Sequence, residues 1–145
     1  MSLQKYLVKK KYNFIKLKRT SSNHFEIKAK VNGVKGRFIL DTGASNSCMG
    51  VAEVEKFNLQ PEVSDQKAAG AGSTEIETQI AQSNTVKIGK FTLKKVPMVL
   101  LDLTHINTAL KMQDSKEVHG IIGADLLTKA KAVIDYNKKK LYLLK

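Results

Sequence analysis

Apolar and polar residues alternate most cleanly between positions 25 and 31, where Phe25, Ile27, Ala29 and Val31 are interleaved with Glu26, Lys28 and Lys30. A period of two predicts a strand with one buried face. Asn32-Gly33 follows at once. This dipeptide favours a two-residue hairpin, because both central positions of a type I′ turn take positive φ. The return strand, Val34 to Leu40, should pair antiparallel with the first and carry its apolar end, Phe38-Ile39-Leu40, up to Asp41.

The rest of the chain reads as short strands separated by turn signals. Tyr12 to Lys18 mixes apolar and basic residues as an exposed strand does, and Thr20-Ser21-Ser22-Asn23 is a turn. Ser47-Cys48-Met49 is a short extended piece, and Val51 to Phe57 predicts a two-turn helix closed by Pro61. Gln66 to Gln82 predicts a long hairpin whose tip, within Ala68 to Thr74, is built of small residues and glycine. Strands at Thr85–Ile88 and Phe91–Leu93 are joined by Gly89-Lys90, and Val96 to Leu101 is a buried strand. His105 to Glu117 is polar, with one helical stretch around Asn107 to Met112. Gly120-Ile121-Ile122 is then a short apolar strand, followed after Gly123 by a helix through Ala130. A last hairpin joins Ala132–Tyr136 to Leu141–Leu144. This is a mainly β domain of barrel or sandwich type with one or two short helices.

Composition narrows the picture. At 145 residues the chain suits one hydrophobic core. The longest apolar runs fall well short of the roughly 18–20 residues that cross a bilayer, so no membrane span is expected. The N-terminal charges lack an adjoining apolar h-region, and the single cysteine, Cys48, suits a reducing compartment, so a cytoplasmic location is expected. Cys48 reads as a small buried hydrophobe. His24, His105 and His119 are scattered without metal-ligand spacing, and neither a metal nor another cofactor is expected.

The formal net charge is +12, and seven basic residues precede the first acidic one, Glu26. That bias sets off residues 1–19 as a basic N-terminal extension to a domain spanning 20–145. Such a field favours acidic partners. Yet only two of the 25 basic residues are arginines and there is no tryptophan. Sequence-specific nucleic-acid recognition, which leans on arginine forks and stacked aromatics, is therefore not indicated.

The candidate chemistry lies in Phe38-Ile39-Leu40-Asp41-Thr42-Gly43-Ala44-Ser45, where a buried strand ends on a carboxylate in a tight turn. With the small-residue stretch Ala69 to Thr74 and the later Ile121-Ile122-Gly123, in that order, the chain resembles the retropepsin-like aspartic proteases. These are the single-lobe family typified by retroviral proteases. The correspondence runs from about Phe25 to Leu144. It implies a closed single-lobe acid-protease barrel, Asp41, Thr42 and Gly43 as the catalytic triplet, and Ala44 and Ser45 lining the loop. It also implies Gly70, Ala71 and Gly72 as a flap tip over an extended peptide, and Ile121 and Ile122 as the hydrophobic element beside the substrate. Retroviral members carry an arginine after the second-motif glycine, whereas this chain has Ala124, so its dimer contacts must differ there.

Peptide hydrolysis without a metal or a covalent nucleophile needs a base for water and an acid for the amide. Two carboxylates sharing one proton supply both. The chain has a single Asp-Thr-Gly, and Asp125 reads as a helix-terminal residue favoured by the helix dipole. A second copy of the chain must supply the other carboxylate, so the expectation is a homodimeric aspartic endopeptidase acting on a peptide or protein substrate. Two other readings remain open at this point. The same fold could serve as a catalytically inactive dimeric peptide-binding module, or the basic N-terminus could associate with nucleic acid.

Overall fold

The computed structural model describes residues 1–68 and 76–145. In chain order they form α1 (Leu3–Lys9), β1 (Asn13–Lys16), β2 (Lys18–Arg19), β3 (Phe25–Val31), β4 (Val34–Leu40), β5 (Cys48–Gly50) and a 3-10 turn (Val51–Glu53). Then follow β6 (Pro61–Ala68), β7 (Ile76–Ile88), β8 (Phe91–Leu101), α2 (Thr104–Met112), β9 (Gly120–Ile122), α3 (Ala124–Lys129), β10 (Val133–Asp135) and β11 (Lys140–Leu143).

The β3/β4 hairpin forms as the alternation dictates. Seven residue pairs run from Phe25↔Leu40 to Val31↔Val34, and Asn32 and Gly33 take φ of 52° and 82°. Asn32 does more than turn the chain. Its Nδ2 donates to the Phe57 carbonyl and to Asn84 Oδ1, and its Oδ1 accepts from the Thr85 N–H. These bonds tie the hairpin tip to β7, and β3 itself pairs with β7 through Lys30↔Lys87 and Val31↔Val86. The ring β3-β4-β9-β5-β8-β7 therefore closes on itself as a six-stranded barrel. Closure leaves these strands without an open hydrogen-bonding edge where they meet.

The barrel holds the main core, with Phe38, Met49, Phe57, Ile88, Phe91, Met98, Ile122 and Leu126 all at most 2% exposed. A smaller cluster of Ile39, Cys48, Leu103, Leu110, Val118 and Ile121 lies under α2. The middle of the β4-β9-β5 segment thus has apolar contacts on both faces. This is why Phe38-Ile39-Leu40 is a continuous apolar run instead of an alternating one.

Some elements differ from the sequence expectation. There are three α-helices among the described residues, not one or two. α1 was missed: Ser2 caps it, its Oγ accepting from the Lys5 N–H, and Leu7 anchors it by burial. Val51 to Phe57 is not a two-turn helix. A 3-10 turn over Val51–Glu53 opens on Gly50 without a side-chain cap, and Asn58 at φ 53° stops further winding. Phe57 is fully buried by that bend. β7 and β8 are longer than expected, at 13 and 11 residues. Their ladder shifts register on either side of Asn84. Buried Asn84 fills the irregularity, its Nδ2 donating to the Ala81 and Val96 carbonyls. β6 and β7 pair antiparallel as the expected long hairpin, and its tip lies outside the described residues.

The first 19 residues are woven into this framework. β1 pairs with β11, which pairs with β10 in a three-stranded sheet, while β2 extends the barrel sheet by pairing with β3. Leu17 packs into the main core.

Candidate active site

Asp41 stands where β4 leaves the barrel. Strand β9 runs parallel to β4, Leu40 opposite Ile122, and antiparallel to β5, Cys48 opposite Ile121. The chain therefore leaves along β4, turns through 41–47 and returns as β5, with β9 inserted between the two limbs. This insertion holds the loop at both ends. The Asp41 N–H donates to the Ile122 carbonyl (3.0 Å) and the Ala44 N–H to the Asp41 carbonyl (3.2 Å). The Ala124 N–H, at the start of α3, donates to the Ala44 carbonyl at 2.7 Å.

The side chain of Asp41 is half-buried, and its Oδ1 accepts the Gly43 N–H at 2.9 Å. This backbone donor fixes the plane of the carboxylate. Thr42, Gly43 and Ser45 are exposed and Ala44 is half-buried, so the loop presents its residues outward while β9 braces it from within. Beside Thr42 runs a groove of about 260 Å³ lined by Ala124, Leu127, Thr128, Ala132 and Ile134.

The structure brings Asp41, Thr42, Gly43, Ala44 and Ser45 together on one loop, directly above Ile121 and Ile122. Ile122 is completely buried in the main core, and Ile121 is 8% exposed within the smaller cluster. Gly70, Ala71 and Gly72 lie outside the described residues.

Two residues of the site had not been read as such. Ser47, fully buried, accepts the Gly123 N–H on its Oγ at 2.9 Å and donates its own hydroxyl to Asp125 Oδ1 at 2.8 Å. The same Oδ1 accepts the Ser47 N–H at 2.9 Å. Asp125 does sit in the first turn of α3, as its dipole preference suggests, but its carboxylate also clamps the return limb of the Asp41 loop. This clamp joins the two motifs in a chain that has Ala124 after the glycine. Gly123 itself is required by closeness, since a Cβ there would lie 2.6 Å from the Ala44 carbonyl oxygen. The sequence signal was Asp125, two residues after Gly123 at the helix start, but its partner is 78 residues away.

Cys48, on the β5 limb, has its thiol pushed up to about 12 by burial, which outweighs the lowering effect of a hydrogen bond from the Ile121 backbone; the nearby Asp125 and Asp41 charges push the same way. At neutral pH it is a thiol with the packing role of a small hydrophobe.

Comparison with known proteins agrees with this geometry. The sequence profile of the Aspartyl protease family matches residues 27–126, from β3 into α3. No curated protein sequence matches. Among solved structures, the chain is similar to a retropepsin-like aspartic protease from Rickettsia conorii. That match has a TM-score of 0.63 and 23% identity, covering 91% of this chain and 90% of the other. It is also similar to the retroviral protease-like domain of Ddi1 from Leishmania major, with a TM-score of 0.57 and 16% identity over 83% of this chain and 87% of that one. EIAV protease, solved with the inhibitor HBY-793, gives a TM-score of 0.57 and 19% identity over 77% of this chain and 92% of that one. Among the described residues, no helix is long and apolar enough to cross a membrane. With its profile match spanning both limbs of the Asp41 loop and its barrel shared with single-lobe proteases, this chain belongs to the aspartyl protease family and is an aspartic-type hydrolase of retropepsin-like fold.

Proposed function

We propose that the protein is a homodimeric aspartic endopeptidase whose water-activating pair is Asp41 from each of two chains. The observation that carries this reading is the state of the two carboxylates near the β4-β9-β5 junction. Asp41 is half-buried, with the Gly43 N–H on Oδ1, at the outward end of a rigid strand. Asp125 is instead committed to Ser47 through both its backbone and hydroxyl donors. One lobe so built offers one usable carboxylate, and a two-fold axis beside Asp41 supplies the second.

In the pair, like charges a few ångströms apart cannot both ionise, so one proton is shared and the titration belongs to the dyad. The ionised member takes a proton from water as the oxygen attacks the scissile carbonyl, and the protonated member donates to the developing tetrahedral oxygen. Collapse of that intermediate expels the amine with a proton returned to nitrogen. Thr42, exposed beside the Asp41 carboxylate, links the two loops across the axis, and Gly43 keeps the approach close. Ala44 and Ser45 line the floor under the substrate backbone, and Ile121 and Ile122 support it from below. The Gly70-Ala71-Gly72 tip covers an extended peptide, so that alternate side chains fall into apolar pockets.

Asp41→Asn tests the reading. Cleavage of a mixed peptide library across acidic to neutral pH should be abolished, with a fall in kcat of at least about 10³-fold and an unchanged fold by circular dichroism. Asp41-independent cleavage by the purified protein would contradict it.

A further inference from the structure

The outer face of the β3/β4 hairpin carries charges in an arrangement that a sheet disfavours. Lys30 lies directly opposite Lys35 on β4 and opposite Lys87 on β7, so three lysines stand abreast across three strands. One step along, Lys28 faces Arg37. All three lysines of the row and Lys28 are exposed. Like charges directly opposite each other destabilise a sheet. The flanking inward positions, Ala29, Val31, Phe38 and Val86, are buried, so the register cannot slip to separate them.

These residues line one cavity of about 520 Å³, together with Ala29, Gly36, Gly89 and His119. Among the described residues, no carboxylate lines it. Arg37, the one arginine there, is already paired with Glu26 and bonded to the Glu117 carbonyl. His119 adds a second unmet demand. Its Nδ1 accepts the Arg37 N–H at 2.9 Å, so Nε2 carries the proton, yet the Lys56 ammonium stands 3.2 Å from Nε2. Two donors converge there, and an acceptor between them would serve both.

We propose that this face is an exosite for an acidic, extended polypeptide segment, lying across the barrel from the catalytic loop. Six residue steps along the chain lead from Lys35 to Asp41, roughly 20 Å at ~3.3 Å per step, and no residue of the 41–47 loop lines the cavity. Carboxylates at alternate positions of an extended chain repeat at the spacing of Lys28 and Lys30 along β3. A nucleic acid fits less well, because the cavity has no uncommitted arginine. Its one aromatic ring, His119, is packed against Phe57, which leaves no stacking platform among the lining residues. The inference deepens the endopeptidase reading by naming the class of its substrate, a protein with an acidic segment outside the cleaved bond.

Binding is measured by fluorescence anisotropy with a labelled (Glu-Gly)₆ peptide, on Asp41→Asn protein so that the probe stays intact. The variant Lys30→Gln/Lys35→Gln/Lys87→Gln should weaken binding by about tenfold or more and flatten its salt dependence. Lys5→Gln/Lys9→Gln/Lys138→Gln removes the same charge from exposed positions outside the cavity and should cost less than about threefold. Equal losses in both triples, or tighter binding of oligo-dT of matched charge than of the peptide, would overturn the exosite. In Asp41-intact protein, the cavity triple should lower kcat/KM only for a substrate carrying an acidic tail. Retained probe binding without any cleavage would sink the endopeptidase reading alone, and cleavage indifferent to the tail would sink the exosite alone.

Discussion

Ser47 and Asp125 show how two side chains distant in sequence fix the return limb of the Asp41 loop. The Ser47 hydroxyl is at once acceptor for a buried backbone N–H and donor to a carboxylate, so its removal orphans the Gly123 N–H and leaves Asp125 Oδ1 with the Ser47 N–H alone. Ser47→Ala should destabilise the fold by ~1–3 kcal/mol, read from a denaturant midpoint shift at constant m-value. Asp125→Asn keeps an acceptor oxygen and should cost less. At His119, burial holds the ring below its usual pKa, aided by the Lys56 and Arg37 charges and opposed by Glu53 and Glu117. A histidine with a lowered folded-state pKa binds fewer protons folded than unfolded. Its contribution is therefore complete above the unfolded value of about 6.5 and is lost as pH falls through that value toward the folded one. Thermal unfolding from pH 8 to 5 should show a decline in Tm below about pH 6.5 that His119→Gln reduces. Cys48 should resist iodoacetamide at pH 8 in the native protein and react on unfolding; rapid native labelling would contradict its burial.

At the scale of elements, the barrel is closed by contacts of very different sequence range, and these differed in legibility. The β3/β4 hairpin was readable to the residue, because alternation and Asn32-Gly33 act within a few positions. The end of β4 at Asp41 and the strand at Gly120–Ile122 were readable for the same reason. Insertion of β9 between β4 and β5 was not, since nothing local in Gly120-Ile121-Ile122 names its neighbours. The Asp125–Ser47 clamp and the Asn32 bonds to β7 escaped on the same ground, each joining residues more than fifty positions apart. α1 escaped because its basic residues mask a short apolar stripe, although Ser2 before Leu3 and Leu7 was a usable signal. Gly123 gives the sharpest test of the inserted strand. Its missing Cβ leaves room for the Ala44 carbonyl, a backbone atom with nowhere to go. Gly123→Ala should cost more than about 3 kcal/mol or abolish soluble expression, whereas a mild loss would mean that the junction is looser than described.

For the whole molecule, the lobe closes as a fold, and in the proposed reading it supplies half of a catalyst. Its core closes within one chain, and of the two carboxylates described at the β4-β9-β5 junction, Asp125 is bonded across it to Ser47 whereas Asp41 accepts a bond from Gly43 of its own loop. Activity should therefore depend on assembly, and specific activity should fall on dilution through the dimer dissociation constant. Mixing tests this most directly. Asp41→Asn protein is added in increasing excess to a fixed amount of wild type, and cleavage is read after subunit exchange. If each site needs Asp41 from both chains, an equal mixture should retain about half the activity per wild-type chain, and a ninefold excess about a tenth. Activity that stays constant per wild-type chain at every ratio would contradict the two-chain site.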